Sequence, residues 1–366
     1  MRLLSLTGGG FRNLDDFSLE FDQGRNFFVG PNGAGKTNLL EAVFYLCIGR
    51  SMRINAEDEH LIRFSKELLR LEGQAVSGQG TLAVEVGYNK AEKRLKINGE
   101  VQQKLSELIG RLPIVSLSPE DDELCKAGPS IRRRFMDLAI SQFSKSYLAD
   151  LQEYRRILAQ RNKLLMDWRD GRSQGESFDA WNQQLYDCGL RVIKKRLAVI
   201  DDLKEVAGSR YYRISGGRER LGLRYHYSFK IEPGEKFEGA FMRALSSNAA
   251  FERARGLTMY GPHRDDLEIA ISGSRIRSFG SQGQQRTAAI AIKLAEAELL
   301  AQELKEKPVI MLDEIFAELD SERGANLLEQ LDPGHQVFIA SAHDNGLSDK
   351  FAFKKFRVES GRVTPE

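Results

Sequence analysis

Apolar and polar residues alternate in the first part of the chain, a pattern typical of half-buried antiparallel strands. It predicts strands around residues 4–6 and 17–21, three more between residues 68 and 99, and another at 114–117. Residues 27–29 are continuously apolar and predict a short buried strand. The apolar run from Lys36 onward is long enough for a core helix.

The middle of the chain changes to helical periodicity. Between residues 130 and 169, and again between 181 and 203, apolar side chains recur every three or four positions. A glycine- and serine-rich break at 170–177 separates the two runs. The pattern predicts an antiparallel helical hairpin whose arms reach about 45 Å for about 30 residues. A specialised arm and a plain helical subdomain explain this pattern equally well.

The last third predicts a return to an α/β pattern. Strands are expected near 223–231, 267–271, 309–312 and 337–340, and helices over 236–253 and 283–305. We therefore predict an α/β head of mixed sheets around a central helix, with a mostly helical second domain inserted between its halves. The expected domains are 1–120, 121–255 and 256–366.

Composition is that of an ordinary globular protein: 366 residues, 41% hydrophobic, with a net charge of +2. The charge is uneven, however. Residues 121–255 carry 26 lysines and arginines against 19 acids, and the remainder carries 28 against 33. The inserted segment can therefore offer a local surface to a polyanion. The chain has no apolar stretch long enough to predict a signal peptide or a membrane span, so we expect a cytoplasmic protein.

Residues 30–37 read GPNGAGKT and match the phosphate-binding (Walker A) pattern between a predicted strand and helix. Glycines let successive backbone N–H groups surround a polyphosphate at the positive end of the helix. Lys36 is expected at the β- and γ-phosphates, and Thr37 at Mg²⁺. A fortuitous glycine-rich turn is the less favoured interpretation. The predicted ATP-binding residues here are Gly30, Pro31, Asn32, Gly33, Ala34, Gly35, Lys36 and Thr37.

Asp313 and Glu314 end an apolar strand, where α/β folds bind ligands. This Walker B arrangement predicts that Asp313 completes the Mg²⁺ coordination and that Glu314 polarises the attacking water. The alternative, two acids that cap the next helix, is disfavoured by the phosphate-binding loop upstream.

Between these motifs, residues 280–284 read GSQGQ and resemble the signature sequence of ATP-binding-cassette (ABC) ATPases. Ser281, Gly283 and Gln284 are expected at a nucleotide phosphate; alone, Ser281 could equally be an ordinary helix N-cap. In ABC ATPases the signature meets the nucleotide of the other subunit, so the motif implies a dimer. Asp320 matches the D-loop position. His343 matches the switch histidine and is expected to be catalytic, although a surface histidine is nearly as good an interpretation.

The motif order resembles the RecF family of bacterial recombination-repair proteins over about residues 1–345. The matching blocks are FRN at 11–13, GPNGAGKTN at 30–38, SPED at 118–121, PSIRRRFMD at 129–137, YGPHRDD at 260–266, GSQGQQRT at 280–287 and LDEIFAELD at 312–320. Arg12, within the first block, is a candidate nucleotide contact, although a surface arginine is as good an interpretation.

The resemblance implies an ABC-type P-loop ATPase head, similar to that of SMC proteins, and an ATP-dependent homodimer with weak, DNA-stimulated hydrolysis. It also implies binding to single-stranded, double-stranded and gapped DNA, with RecR and RecO as partners that help to load RecA.

The residues themselves support DNA binding only modestly. Paired basic residues on neighbouring helices can contact phosphates without reading sequence, although most such pairs are solvated helix faces. The candidate DNA contacts are Arg132, Arg133, Arg155, Arg156, Lys194 and Lys195.

The main alternative is the ATPase subunit of a membrane transporter or of a protein-only complex. A transporter subunit needs no basic insertion of more than a hundred residues. An SMC-type tether needs coiled coils of hundreds of residues, whereas this hairpin has tens.

Overall fold

The computed structural model describes residues 1–53, 56–78, 80–172, 178–317, 327–331, 334–344 and 346–366. Its strands are β1 (Arg2–Gly9), β2 (Phe17–Glu20), β3 (Arg25–Val29), β4 (Leu68–Ser77), β5 (Gly80–Asn89), β6 (Lys93–Ile97), β7 (Glu100–Gln102), β8 (Ile114–Leu117), β9 (Leu221–His226), β10 (Asp266–Ile271), β11 (Ser274–Arg275), β12 (Val309–Asp313), β13 (Val337–Ser341), β14 (Lys354–Glu359) and β15 (Arg362–Pro365).

Its helices are α1 (Lys36–Ile48), α2 (Glu123–Lys126), α3 (Pro129–Phe143), α4 (Lys145–Arg169), α5 (Asp179–Ile214), α6 (Phe237–Ser247), α7 (Ala249–Arg255), α8 (Ile276–Phe279), α9 (Gln282–Leu304) and α10 (Leu347–Lys350). Each described helix is too short or too polar to cross a lipid bilayer.

The chain forms two compact units. The first joins Met1–Asp121 to Lys293–Glu366, and the second is Asp122–Ile292. Residues 256–292, expected with the head, therefore belong to the second unit. The reason is strand pairing: β10 is antiparallel to β9 over six residue pairs, from Asp266–His226 to Ile271–Leu221.

The first unit contains two six-stranded sheets. One is antiparallel, in the order β2-β1-β4-β5-β6-β7, and the other is mixed, in the order β15-β14-β3-β13-β12-β8. Helix α1 contacts strands of both sheets, and 11 of its 13 residues are buried. The predicted mixed sheets around a central helix are confirmed.

The second unit is built on α4 and α5. Arg196 Nε donates to the Tyr147 hydroxyl at 3.0 Å, and Arg161 Nε donates to Asn182 Oδ1 at 3.1 Å. The earlier residue of α4 contacts the later residue of α5, and the later residue of α4 contacts the earlier one of α5. The two helices are therefore antiparallel, as the hairpin prediction requires.

Two predicted helices are each divided. The run over 130–169 breaks at Ser144, whose hydroxyl accepts a hydrogen bond from the Tyr147 backbone N–H and caps α4. The run over 236–253 breaks at Asn248, whose amide donates to the Ala244 carbonyl. In both cases a short polar side chain makes a hydrogen bond in place of one that the backbone makes in a continuous helix. The spacing of apolar residues does not reveal such a bond, so it did not predict either break.

Candidate nucleotide-binding site

The phosphate-binding loop connects β3 to α1 in the first unit. Gly35, immediately before the helix, has a φ of 115°, a conformation that residues with a Cβ rarely adopt. A Cβ on Gly30 would lie 2.0 Å from the Val358 carbonyl oxygen. Glycine at these two positions therefore lets the loop close tightly over the first turn of α1, where free N–H groups attract anions.

Lys36 folds back across this loop. Its Nζ donates to the Gly30 carbonyl at 2.9 Å and to the Pro31 carbonyl at 3.1 Å. The same atom lies 2.9 Å from Glu314 Oε1, and the lysine side chain is only 3% exposed. The ammonium group is thus fixed between Walker A and Walker B.

Thr37 and Asp313 make a second link between the motifs. Thr37 Oγ1 donates to Asp313 Oδ1 at 3.0 Å. Asp313 is the last residue of β12, which lies between β13 and β8 in parallel register. Burial raises the pKa of Asp313 to about 6; the Thr37 hydrogen bond opposes this rise, and the Glu314 carboxylate adds to it. A hydroxyl and a carboxylate side by side are oxygen donors of the kind that Mg²⁺ prefers.

Glu314 has an unusual backbone conformation. Its φ is 51°, in the left-handed region, and its N–H donates to the Ala340 carbonyl at 2.9 Å. Such a residue costs about 1 kcal/mol or more, and strain of this kind concentrates at functional sites. The bend places the Glu314 carboxylate beside Lys36, with 25% of the side chain exposed.

Arg12 lies beside this site, but its guanidinium group is paired with the Glu41 carboxylate. Its Nε and Nη2 donate to the two carboxylate oxygens of Glu41 at 2.9 and 3.1 Å, and its Nη1 donates to the His60 carbonyl. Glu41 is fully buried on α1. Arg12 therefore holds α1 in place, and its contact with a nucleotide stays a prediction.

A chain of amides supports the loop, and sequence reasoning missed it. Arg53 Nη2 donates to Asn38 Oδ1 at 2.6 Å, and Asn38 Nδ2 donates to Asn13 Oδ1 at 2.8 Å. Asn13 Nδ2 then donates to the Gly33 carbonyl at 3.3 Å. Three of these residues lie within the family motifs: Asn13 in FRN, and Gly33 and Asn38 in GPNGAGKTN. Their presence in these motifs was the signal that could have revealed the network.

The signature residues belong to the second unit, at the start of α9. Gln284 N–H donates to Ser281 Oγ at 3.2 Å, and Ser281 N–H donates to Gln284 Oε1 at 2.8 Å, which is a reciprocal capping box. The N-cap interpretation of Ser281 is confirmed. Because its oxygen is the acceptor in this bond, its O–H can still donate to a phosphate. Ser281 is exposed, and a Cβ on Gly283 would meet nothing within 4 Å.

Comparison with known proteins decides the family. The family model described as RecF/RecN/SMC N terminal domain matches residues 2–363. A protein of Halothermothrix orenii named DNA replication and repair protein RecF is 39% identical over 361 residues, covering 97% of this chain and 96% of the relative.

The chain belongs to the RecF family. Relatives in this family are named DNA replication and repair protein RecF. A solved RecF structure, described as the recombination mediator protein RecF-ATP in the RecFOR pathway, is 33% identical with a TM-score of 0.92. It covers 100% of this chain and 97% of that chain. A solved Smc head bound to the C-winged helix domain of ScpA is 16% identical with a TM-score of 0.58, covers 100% of this chain and 97% of that chain, and shares the fold alone.

Two further candidates, predicted from the D-loop and switch positions of ABC ATPases, follow the Walker B strand. Asp320 lies outside the described residues. His343 is exposed just beyond β13, and its backbone N–H donates to Ser341 Oγ at 3.4 Å. Its catalytic role stays a prediction.

Two of the DNA candidates are engaged in the second unit's own structure. Arg132 is 6% exposed and donates to both carboxylate oxygens of Asp266, at 2.7 and 2.9 Å, and to two backbone carbonyls. Arg133 is half-buried and donates to the Asp265 carbonyl at 2.9 Å. The Arg132 guanidinium is nearly buried and its hydrogen-bond donors are used within the protein, so we assign Arg132 a structural role.

The other DNA candidates lie on the surface of α4 and α5. Arg155 pairs with a carboxylate at 2.8 Å and is 59% exposed, and Lys194 pairs with one at 3.3 Å and is 54% exposed. Lys195 Nζ lies 5.2 Å above an aromatic ring. Arg156 is exposed. The carboxylate paired with Arg155 is that of Asp137, whose side chain is only 11% exposed, whereas the pair between Lys194 and Glu238 is partly exposed on both sides and therefore weak. All four residues stay candidates.

Proposed function

We propose that this protein is an ATP-operated dimer that binds DNA during replication and repair. One observation carries the proposal: Thr37 Oγ1 donates a hydrogen bond to Asp313 Oδ1 at 3.0 Å, although the two residues are far apart in the sequence. That contact joins the phosphate loop to the Walker B strand, as a P-loop ATPase needs.

ATP is the proposed nucleotide, in keeping with the solved relative described as RecF-ATP. Backbone N–H groups of the loop 30–37, apart from Pro31, which has none, bind its phosphates, with Lys36 as the cation. Thr37 and Asp313 would hold Mg²⁺, which would neutralise charge on the phosphates. Because the pKa of Asp313 is about 6, its carboxylate is ionised and able to bind a cation at neutral pH.

Hydrolysis is proposed to be slow and to act as a switch. Glu314 accepts a proton from the attacking water as general base. Lys36 now neutralises Glu314 at 2.9 Å. A phosphate that binds the Lys36 ammonium releases the carboxylate to orient water, so ATP binding itself prepares the base.

Dimerisation is proposed to come from the signature. Ser281 and Gly283 lie exposed at the first turn of α9, a 23-residue helix. A free hydroxyl, an open glycine and a helix N-terminus together can bind the phosphates held by a second protomer. ATP then joins two chains.

DNA is proposed to contact the basic surface of the hairpin. Residues 121–255 carry 26 basic against 19 acidic side chains, which suits phosphate contacts without sequence readout. The proposed DNA ligands are single-stranded, double-stranded and gapped DNA. The solved relative's description names the RecFOR pathway, and we propose RecO and RecR as partners in RecA loading.

A filter-binding titration tests the proposal. Gapped, single-stranded and double-stranded DNA are titrated with and without ATP at two salt concentrations. The proposal predicts ATP-dependent binding that weakens steeply with salt. The proposal is contradicted if no DNA binding is seen, or if the DNA affinity is the same with and without ATP.

A further inference from the structure

The signature glutamine uses both sides of its amide group. Gln284 Oε1 accepts from the Ser281 N–H, and Gln284 Nε2 donates to Glu219 Oε1 at 2.6 Å. Since a carboxylate can only accept, it requires the NH₂ side of the amide to face it. Glu219 therefore determines that the amide oxygen faces Ser281.

The second oxygen of Glu219 reaches the hairpin. Tyr211 O–H donates to Glu219 Oε2 at 2.7 Å. Tyr211 is 1% exposed and lies in the last turn of α5, which ends at Ile214. One carboxylate thus connects the end of the 36-residue hairpin helix to the signature.

The turn that follows α5 brings Glu219 back beside Tyr211, in the last turn of that helix. Ser215 N–H and Gly217 N–H donate to the Tyr211 and Tyr212 carbonyls, each at 2.8 Å. Gly217 has a φ of 79°, so the chain reverses at a glycine and Glu219 lies beside the helix that it has just left.

We infer that Glu219 is a positioning residue that holds the signature cap and couples it to α5. Through the Gln284 side chain it fixes the Ser281 backbone N–H, and so the capping box that includes the Ser281 hydroxyl; through Tyr211 it makes this arrangement depend on the hairpin helix. The inference rests on the proposed function, in which Ser281 binds the partner protomer's ATP. A ligand that shifts α5 thereby alters dimerisation.

Three variants separate these contacts in the full chain. Glu219→Ala removes both hydrogen bonds, and Tyr211→Phe removes only the link to α5. Glu219→Gln can keep both, because its amide accepts from Gln284 and donates to the tyrosine oxygen. Glu205→Ala is the control, since it removes a glutamate side chain that lies on α5, the helix of Tyr211, and is 79% exposed.

Hydrogen exchange at the Ser281 and Gln284 amides is measured first, since it does not depend on ATP. The inference predicts at least about tenfold faster exchange in Glu219→Ala, with Glu219→Gln and Glu205→Ala near wild type. Unchanged exchange in Glu219→Ala overturns it. If Glu219→Ala does not fold, Tyr211→Phe provides the test. The inference then predicts that Tyr211→Phe changes the exchange rates of the Ser281 and Gln284 amides, and unchanged rates contradict the coupling to α5.

Light scattering with ATP is the second readout. Glu219→Ala is expected to need about tenfold more protein to dimerise, while a fluorescent ATP analogue binds its monomer as it binds wild type. Normal dimerisation of a folded Glu219→Ala variant overturns the inference. A wild-type protein that stays monomeric overturns the proposed function instead, and the exchange rates still decide the role of Glu219.

Discussion

Lys36 Nζ lies 2.9 Å from Glu314 Oε1, with the two side chains 3% and 25% exposed. The cation expected at the phosphates and the expected general base thus neutralise each other. Polyphosphate competes with Glu314 for this ammonium group, so one exchange of partners both binds the nucleotide and frees the base. The first two predictions follow from that exchange.

Replacing Lys36 with methionine removes the buried cation but keeps most of the side-chain volume. ATP affinity is expected to fall by about 100-fold or more, because the charge-assisted contacts to the β- and γ-phosphates are lost. ATP-dependent dimerisation is lost with it. A fluorescent-ATP titration and light scattering measure both effects. Lys90→Met, at an exposed position, is the control and is expected to behave as wild type.

Glu314→Gln removes the proposed base and preserves shape. Hydrolysis is expected to fall by at least about 100-fold, while ATP binding persists and the closed dimer accumulates. Phosphate release and light scattering test this together. Glu303→Gln, exposed on α9, serves as control. A Glu314→Gln protein that hydrolyses ATP normally excludes Glu314 as the base.

His263 gives the folded state a pH dependence. Burial lowers the pKa of His263 to about 4, and its ring nitrogens contact the Tyr154 hydroxyl at 2.6 Å and the Thr258 carbonyl at 3.0 Å. Between about pH 6.5 and 4 the unfolded chain binds a proton that the folded chain does not. This group's contribution to stability is therefore complete above pH 6.5 and is lost as pH falls.

Urea unfolding at pH 7 and pH 5 measures this effect. The His263 contribution to the free energy of unfolding is expected to decrease by about 2 kcal/mol between these values. His263→Gln is expected to remove that part of the pH dependence, whereas His226→Gln, at an exposed position, is expected to keep it. Identical pH profiles for wild type and His263→Gln contradict the prediction.

Local pattern predicted the framework of the site well. The strand at Ile114–Leu117 and the helix at Gln282–Leu304 lie within one residue of their expected bounds. The Walker motifs meet because both follow buried strands of one sheet, and the ends of parallel strands share an edge. Such contacts follow from topology and are therefore predictable.

Long-range polar contacts were not predictable. Arg132 and Arg156 both occur in basic runs on helices, yet Arg132 is buried against Asp266, 134 positions away, and Arg156 is exposed. Nothing local distinguishes the two. The same holds for the domain boundary, because the pairing of β10 with β9 decides it.

Substitutions of Arg132 and Arg156 are therefore expected to have different effects, the first on stability and the second on DNA binding. Arg132→Ala is expected to lower the free energy of unfolding by about 3 kcal/mol, because it leaves the Asp266 carboxylate and two carbonyls without their donor. Arg156→Ala is expected to leave stability unchanged and to reduce the slope of log affinity against log salt for DNA by about one. Urea unfolding and filter binding separate them; an unchanged salt slope removes Arg156 from the DNA surface.

The central claim is that one ATP is bound by Lys36 of one protomer and Ser281 of the other. Mixing Lys36→Met with Ser281→Arg protein, each inactive alone, tests it most directly by ATP-dependent light scattering and phosphate release. The account predicts that the mixture regains dimerisation and hydrolysis, since a heterodimer contains one intact composite site. A mixture as inactive as its two components contradicts it.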